Sequence, residues 1–534
     1  YDAEVLADRK NGVFPRFVDL RKIYLHHYPF EGLVKPLATR DFIGRWNEGA
    51  LIVNFAGHGS PVGMTDEELM LKRDVFSLSN GSRRPLFLAF SCSVGDLDSP
   101  YQRSIAQEMV SLEAGGAIAT IAGVAPTYGN CNSSLNTAFH TILFPDRYST
   151  EVLPLGTALQ LAKMSASVIA YPANNAKYAL LCDPALTLSL PRRLVAIDAS
   201  TVDTMETARR YSVTGELLDE GGAVAFVDGT ADIVVEEAEE RINKVVTRQG
   251  VNYPVIYNLP GGEIFHGTVD VAAGRFTASF TVPLRCRTGP SARFRAYVEG
   301  IEGGAAGAAD TLFVETSGSP PANESPPELR MFFAGQADKV KQGALLVAEI
   351  SDEDGIATLG ADPQSSIFLE FDRDGFPIFV TDYFSYDHGS STEGRVEYPL
   401  GTGLEPGMHS VVIRAFDNLG AAANDTLEFE IVEEGVYTVT DVFNFPNPVS
   451  DGTNFVFQLS SPADVRLSLY TVSGVQIWHR QTIAEEGFNS IWWNGRDAAG
   501  DRPANGTYLY LLDVTFRDSF HRTETVTGKV VLLR

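Results

Sequence analysis

Two residues able to do covalent chemistry stand at the ends of apolar runs: His58 closes "LIVNFAGH" and Cys92 closes "PLFLAFSC". A cysteine attacks only as the thiolate and is mostly protonated at neutral pH, so it needs a base. Imidazole takes up or returns a proton in that range. Gly57 and Gly59 flank the histidine, which lets the backbone turn sharply and present N–H groups. The N–H groups of Gly59 and Cys92 would then form an oxyanion hole for acyl transfer. The plainer reading is that a strand-end cysteine is a small buried hydrophobe and the histidine a satisfied surface or core residue.

The elements around this pair read as an α/β domain. "GALIVNFAG", "PLFLAFSC" and "GGAIATIAG" are near-continuous apolar runs, as expected of parallel strands covered on both faces. Between Arg103 and Glu113 the apolar residues Ile105, Met109 and Leu112 fall at helical spacing. Leu135 to Leu143 and Gly156 to Ala170 read as further helices, and "YALLCDPALTLSL" closes the segment. In open parallel sheets, catalytic groups collect beyond the carboxyl ends of the strands, where His58 and Cys92 both fall.

Composition bounds the rest. The 534 residues predict about three or four domains. With 44% hydrophobic and 21% charged residues the chain is of ordinary globular composition. A formal net charge of −26 argues against nucleic acid and anionic membrane surfaces as partners. The four cysteines, Cys92, Cys131, Cys182 and Cys286, lack metal-ligand spacing. Cys131 and Cys182 are candidates for a disulfide in an oxidising location, although their separation is not readable from sequence. No apolar run approaches a membrane-spanning helix. The chain opens at Tyr1 without a signal peptide, as a processed product or part of a longer protein would.

After "LPRR" at residues 190–193 helical periodicity gives way to short alternating strands. The expected organisation is an α/β domain over 1–193, an all-β domain over 194–316, a Pro/Ser linker over 317–328, an Ig-like β-sandwich over 329–436 and a second over 437–534. Asp96 and Asp98 are candidates for a substrate pocket, against the commoner reading of a solvated loop leading to a helix cap at Ser99 or Ser104. Asp352, Glu353 and Asp354 in "SDEDG" are the candidate site for structural calcium, with a plain turn as the simpler account. No other metal or cofactor is expected. Of the adjacent Trp492 and Trp493, with Trp478 nearby, one must face inward and one outward in a sandwich strand.

"NFAGHGS" followed by "FLAFSC" resembles the gingipain family of cysteine peptidases, in which the histidine of a GHG motif and the cysteine ending the next strand are catalytic. The likeness continues through "SCSVGDLDSPYQRSIAQEMVSLEAGGAIATIAGVAPTYGNCNSSLNTAFHTILF", "LGTALQLAKM" and "YALLCDPALTLSLP". Within the family it follows the surface sortases of the type IX secretion system, and "ISDEDGIATLG", "GMHSVVIRAFDNLG" and the ending "GKVVLLR" agree. The resemblance implies a caspase-like α/β sheet, Cys92 as nucleophile and His58 as general acid/base. It implies removal of C-terminal sorting domains from secreted cargo, with lipopolysaccharide as the amine acceptor. It also implies a location at the bacterial cell surface, outer-membrane associated or secreted, and a last domain that docks on an outer-membrane barrel of the PorV type. Two departures stand beside it. The family places more of its catalytic sheet, and an acidic residue orienting the histidine, upstream; Asp2 and Glu4 are the only very early carboxylates here and neither is assigned that role. Ser93 follows the cysteine where many of these sortases carry an acidic residue. The alternatives are a secreted gingipain-like protease of broader range and a non-enzymatic surface adhesin or scaffold.

Overall fold

The computed structural model describes residues 6–7, 12–145, 153–165, 171–200, 202–248, 251–321, 325–334, 339–360, 363–372, 376–401, 404–432, 438–517 and 522–534. Asp2 and Glu4, and the final residues of the helix expected to run to Ala170, lie outside them. The chain forms two compact units: one of Tyr1–Phe332, Leu346–Tyr398 and Val411–Leu427, the other of Phe333–Leu345, Pro399–Ser410 and Glu428–Arg534.

The first unit opens with the α/β region. Strands β1 (Ile52–Phe55), β4 (Leu86–Ala89) and β5 (Ala119–Gly123) run parallel, and β6 (Tyr178–Leu181) is added antiparallel to β5. A small hairpin, β2 (Gly63–Met64) and β3 (Met70–Leu71), follows β1. Helices α1 (Pro36–Glu48), α2 (Ile105–Ser111), α3 (Gly129–Leu143), α4 (Leu155–Met164) and the short α5 (Pro172–Asn175) complete the region.

Both faces of this sheet are covered, which is why its strands are continuously apolar. Leu86, Leu88 and Ile121 pack with Leu135, Phe139, Leu155 and Leu159 of α3 and α4. The alternate residues Phe87, Ala89 and Ala122 pack with Phe42 and Trp46 of α1 and with Met109 of α2. Helix α1 follows from local rules. Pro36 occupies its first turn, where the missing N–H costs nothing. Ala38, Phe42 and Trp46 recur every fourth residue and are its buried face.

The first unit continues in the all-β region, built around an eight-stranded sheet. Along it lie β7 (Arg193–Asp198), β9 (Arg209–Leu218), β10 (Gly229–Glu236), β13 (Glu263–Val271), β14 (Arg275–Val282), β15 (Gly289–Glu299) and β16 (Ala305–Glu315), with β8 (Thr204–Glu206) paired to β16. β11 (Glu240–Arg248) and β12 (Val251–Leu259) form a separate ribbon. The leading segment of the chain is pinned to this region by charge: Arg16 pairs with the buried Asp310 at 3.0 Å, Arg21 with Glu263, and Lys22 Nζ donates to the Asn258 carbonyl at 2.6 Å.

The second unit contains the terminal sandwich. One sheet holds Val439–Phe445, Thr453–Leu459 and Gly487–Trp493; the other holds Gln476–Ala484, Ala463–Thr471, Gly506–Phe516 and Thr523–Leu532. Phe455, Phe457, Leu467, Leu469, Leu512, Val514 and Phe516 fill its core. As strand alternation requires, Trp493 is wholly buried while Trp492 is 50% exposed. The Trp493 indole N–H donates to the Arg496 carbonyl at 2.7 Å.

Candidate active site

The pairing of β1 with β4 matches Ile52 to Leu86 and Phe55 to Ala89, a constant offset of 34 residues. Carried three residues past the strand ends, that offset would bring His58 level with Cys92. The loops keep this correspondence: Phe90 N–H donates to Phe55 O at 3.2 Å, and Ser91 Oγ donates to Gly57 O at 2.7 Å. His58 is solvent-exposed and Cys92 half-buried. Among the described residues, no hydrogen bond joins His58 to Cys92.

Each loop is held from behind. The His58 carbonyl accepts Thr65 N–H at 2.9 Å and Ser60 N–H donates to Gly63 O at 2.9 Å, so the β2–β3 hairpin fixes the turn carrying the histidine. Gly59 is required by close approach: a Cβ there would meet Ser91 Oγ and Val94 Cγ2 at 2.5 Å and the Cys92 carbonyl at 3.0 Å. Ser93, directly after the cysteine, has φ +53°. That left-handed conformation costs a non-glycine residue on the order of 1 kcal/mol. Ser93 N–H to Ala125 O at 3.3 Å and Gly95 N–H to Gly123 O at 2.9 Å hold it against the loop after β5. Among the described residues, the N–H groups of Gly59 and Cys92 have no hydrogen-bond acceptor.

Among the described residues, the hydrogen-bond partners of the cysteine sulfur all belong to Thr127. Cys92 Sγ donates to the Thr127 carbonyl at 3.4 Å, accepts Thr127 N–H at 3.3 Å and lies 3.6 Å from Thr127 Oγ1. Behind it, Asn132 Nδ2 donates to Thr127 Oγ1 at 2.8 Å. Asn174 Nδ2 donates to Asn132 Oδ1 at 3.2 Å, and Tyr128 N–H donates to Asn174 Oδ1 at 3.0 Å. Asn132 and Asn174 are both buried. Tyr178 packs against Phe90, and burial pushes its phenol well above the usual tyrosine range. Nothing in the sequence flagged this group, because its members lie on three separate elements and share no motif.

Asp96 and Asp98 sit in the turn that follows Cys92. Asp96 is half-buried and accepts Asp98 N–H at 2.9 Å, while Asp98 is exposed. The next helix, α2, begins at Ser104, whose N–H donates to Gln107 Oε1 at 2.9 Å in a capping box. Cys131 and Cys182 are not joined; both are free thiols. Among the described residues, no group of three or more His, Cys, Asp or Glu side chains is placed to hold a metal ion. In "SDEDG", Asp352 Oδ1 accepts Asp354 N–H at 2.8 Å, as a turn-forming aspartate does. Burial, with Asp417 nearby, pushes the Asp352 carboxyl up to about 6 despite that N–H.

A cysteine and a histidine just beyond the carboxyl ends of adjacent parallel strands are the residue types that thiol acyl transfer calls for. Residues 1–189 match the model of Peptidase family C25. Among solved structures, dimeric latent PorU from Porphyromonas gingivalis is similar at 20% identity and a TM-score of 0.31, over 79% of this chain and 41% of that chain. The Arg-specific cysteine proteinase gingipain R is similar at 16% identity and a TM-score of 0.28, over 54% of this chain and 57% of that chain. The complex of Porphyromonas gingivalis RgpB pro- and mature domains follows at 14% identity and 0.26, over 54% and 58%. This chain therefore spans less than two thirds of each of those chains, and at such distance the likeness assigns no role to any residue. No curated protein matches the chain. No helix among the described residues is long and apolar enough to cross a membrane.

Proposed function

We propose that this chain is a cell-surface cysteine endopeptidase and transpeptidase, a sortase that removes C-terminal sorting domains from cargo of the type IX secretion system and passes the new carboxyl end to an amine of lipopolysaccharide. The observation that supports the reading is the β1–β4 register, whose two strands end three residues before His58 and Cys92, within the segment that matches family C25.

The chemistry runs as acyl transfer. His58 takes the Cys92 proton, and the thiolate attacks the scissile carbonyl carbon. The N–H groups of Gly59 and Cys92 receive the developing oxyanion. Collapse breaks the C–N bond, His58 returns its proton to the leaving amine, and a thioester remains on Cys92. Attack on that thioester by water or by an amine breaks the C–S bond, and positioning of the acceptor decides which product forms. The terminal sandwich is the part that would dock on an outer-membrane barrel of the PorV type. Such docking would hold the chain at the outer-membrane surface.

The test joins a globular passenger to a C-terminal sorting sandwich and incubates it with the full chain and a soluble primary amine. The reading expects one cut at the junction, a product heavier by the amine, and no product with Cys92→Ala. Cutting of unrelated unfolded proteins at many sites would replace it with a broad gingipain-like protease. A parent chain that cleaves neither substrate would leave a surface scaffold.

A further inference from the structure

We infer that Thr127 is a positioning residue for Cys92, a cradle that holds the sulfur in both protonation states and favours the thiolate once His58 has taken the proton. The inference rests on the peptidase reading above and adds a residue that reading does not use.

Thr127 offers one sulfur atom three contacts. Its carbonyl accepts the S–H at 3.4 Å, an interaction available only to the neutral thiol. Its N–H at 3.3 Å and its hydroxyl at 3.6 Å are interactions a thiolate can accept. The hydroxyl is already oriented. Asn132 Nδ2 donates into Thr127 Oγ1 at 2.8 Å, which occupies a lone pair and leaves the O–H to be shared between the sulfur and the neighbouring Tyr178 phenol. Asn132 is fixed in turn by Asn174, and Asn174 by Tyr128 N–H. A chain of three buried or half-buried side chains therefore ends in one hydroxyl, which has Cys92 Sγ at 3.6 Å and the Tyr178 phenol as its other neighbour. Buried amides are costly unless every group is satisfied, so a buried Asn–Asn–Thr relay is retained where it orders something.

The electrostatics favour one direction. When the S–H proton leaves, the carbonyl contact is lost and the N–H and O–H contacts become charge-assisted, which strengthens them. Hydrogen bonds made to the charged form favour that form. Methyl and hydroxyl groups are close in size, so Thr127→Val removes the hydroxyl while keeping the backbone N–H and the packing. Thr127→Ser keeps the hydroxyl.

The experiment measures iodoacetamide alkylation of the full chain from pH 5 to 10, with the site read by peptide mass spectrometry so that Cys92 is separated from Cys131, Cys182 and Cys286. For Thr127→Val the expectation is a Cys92 alkylation midpoint moved up by about one pH unit and a rate near neutral pH down by about tenfold. Thr127→Ser should restore the parent profile, and both variants should melt with the parent. A Thr127→Val profile that overlays the parent overturns the inference, as does a loss that Thr127→Ser fails to rescue. The two readings fail separately. His58 dependence without Thr127 dependence removes the cradle and leaves the peptidase, whereas Thr127 dependence in a chain that cleaves no peptide keeps the cradle and removes the enzyme.

Discussion

The α/β region and the terminal sandwich treat polar residues in opposite ways. In the sandwich the strands run 7 to 11 residues, and among its buried polar residues Asn444 and Thr453 bond to each other at 3.2 Å. In the α/β region the sheet strands run only four or five residues. Yet Ser91, Thr120, Asn132, Asn136, His140, Asn174 and Asn175 are all buried there. Among the described residues, both amide atoms of Asn136, Nε2 of His140 and Oγ1 of Thr120 have no hydrogen-bond partner. A core built for packing alone sheds such groups, because each costs stability. Departures of this kind gather where a fold holds functional groups in place.

That contrast can be broken or sharpened by four substitutions. The largest effect is expected in the sandwich. Trp493→Ala empties a wholly buried site and should cost about 3–5 kcal/mol in chemical denaturation. It should leave the Cys92 alkylation rate unchanged, and a fall in that rate would mean that the two regions are not independent.

Next comes His140. It is fully buried, its Nδ1 lies 3.0 Å from Asn136 O, and burial lowers its pKa to about 4. The unfolded chain takes up this proton near pH 6.5 and the folded chain does not, so stability is lost as pH falls through that window. The loss from this one group between pH 7 and 5 should be about 2 kcal/mol. His140→Phe should remove that part of the slope in urea titrations at the two pH values. An unchanged slope would show that the polar core of the α/β region carries no such cost.

Asp352 works with the opposite sign. Its folded pKa of about 6 lies above the ordinary 3.8, so its charged form is disfavoured and stability falls as pH rises from about 4 to 6. Asp352→Asn should therefore stabilise by about 1–2 kcal/mol at pH 8 and change nothing at pH 4. Destabilisation at pH 8 that appears only with calcium present would point to a bound cation instead. The smallest effect belongs to Trp492→Ala at a half-exposed position, within about 0.5 kcal/mol. Set beside Trp493→Ala, it tests whether one strand divides its two tryptophans between core and surface.

The parts of this protein that were legible in the sequence are those where local pattern decides. "LIVNF" and "LFLA" could only be strands covered on both faces, and their ends pointed to His58 and Cys92. Helix α1 carries the same kind of local signal, in Pro36 and the spacing of Ala38, Phe42 and Trp46, upstream of the motifs. The helix expected from Leu135 begins earlier, at Gly129, because Cys131 and Asn132 are also buried on it. The Thr127–Asn132–Asn174 relay was not legible, since polar residues on a loop, α3 and α5 meet only after the sheet forms. Nor were the ion pairs of Arg16 and Arg21, whose partners lie more than two hundred residues away.

On the proposed function, Cys92 is a nucleophile made reactive by His58. The most direct test compares the second-order rate of Cys92 alkylation at pH 7 in the full chain and in His58→Ala. Loss of the base should slow the reaction by about tenfold or more while the melting temperature holds. Rates that agree within about twofold, at the level of an ordinary thiol, would contradict the claim and leave the two strand ends without a shared chemistry.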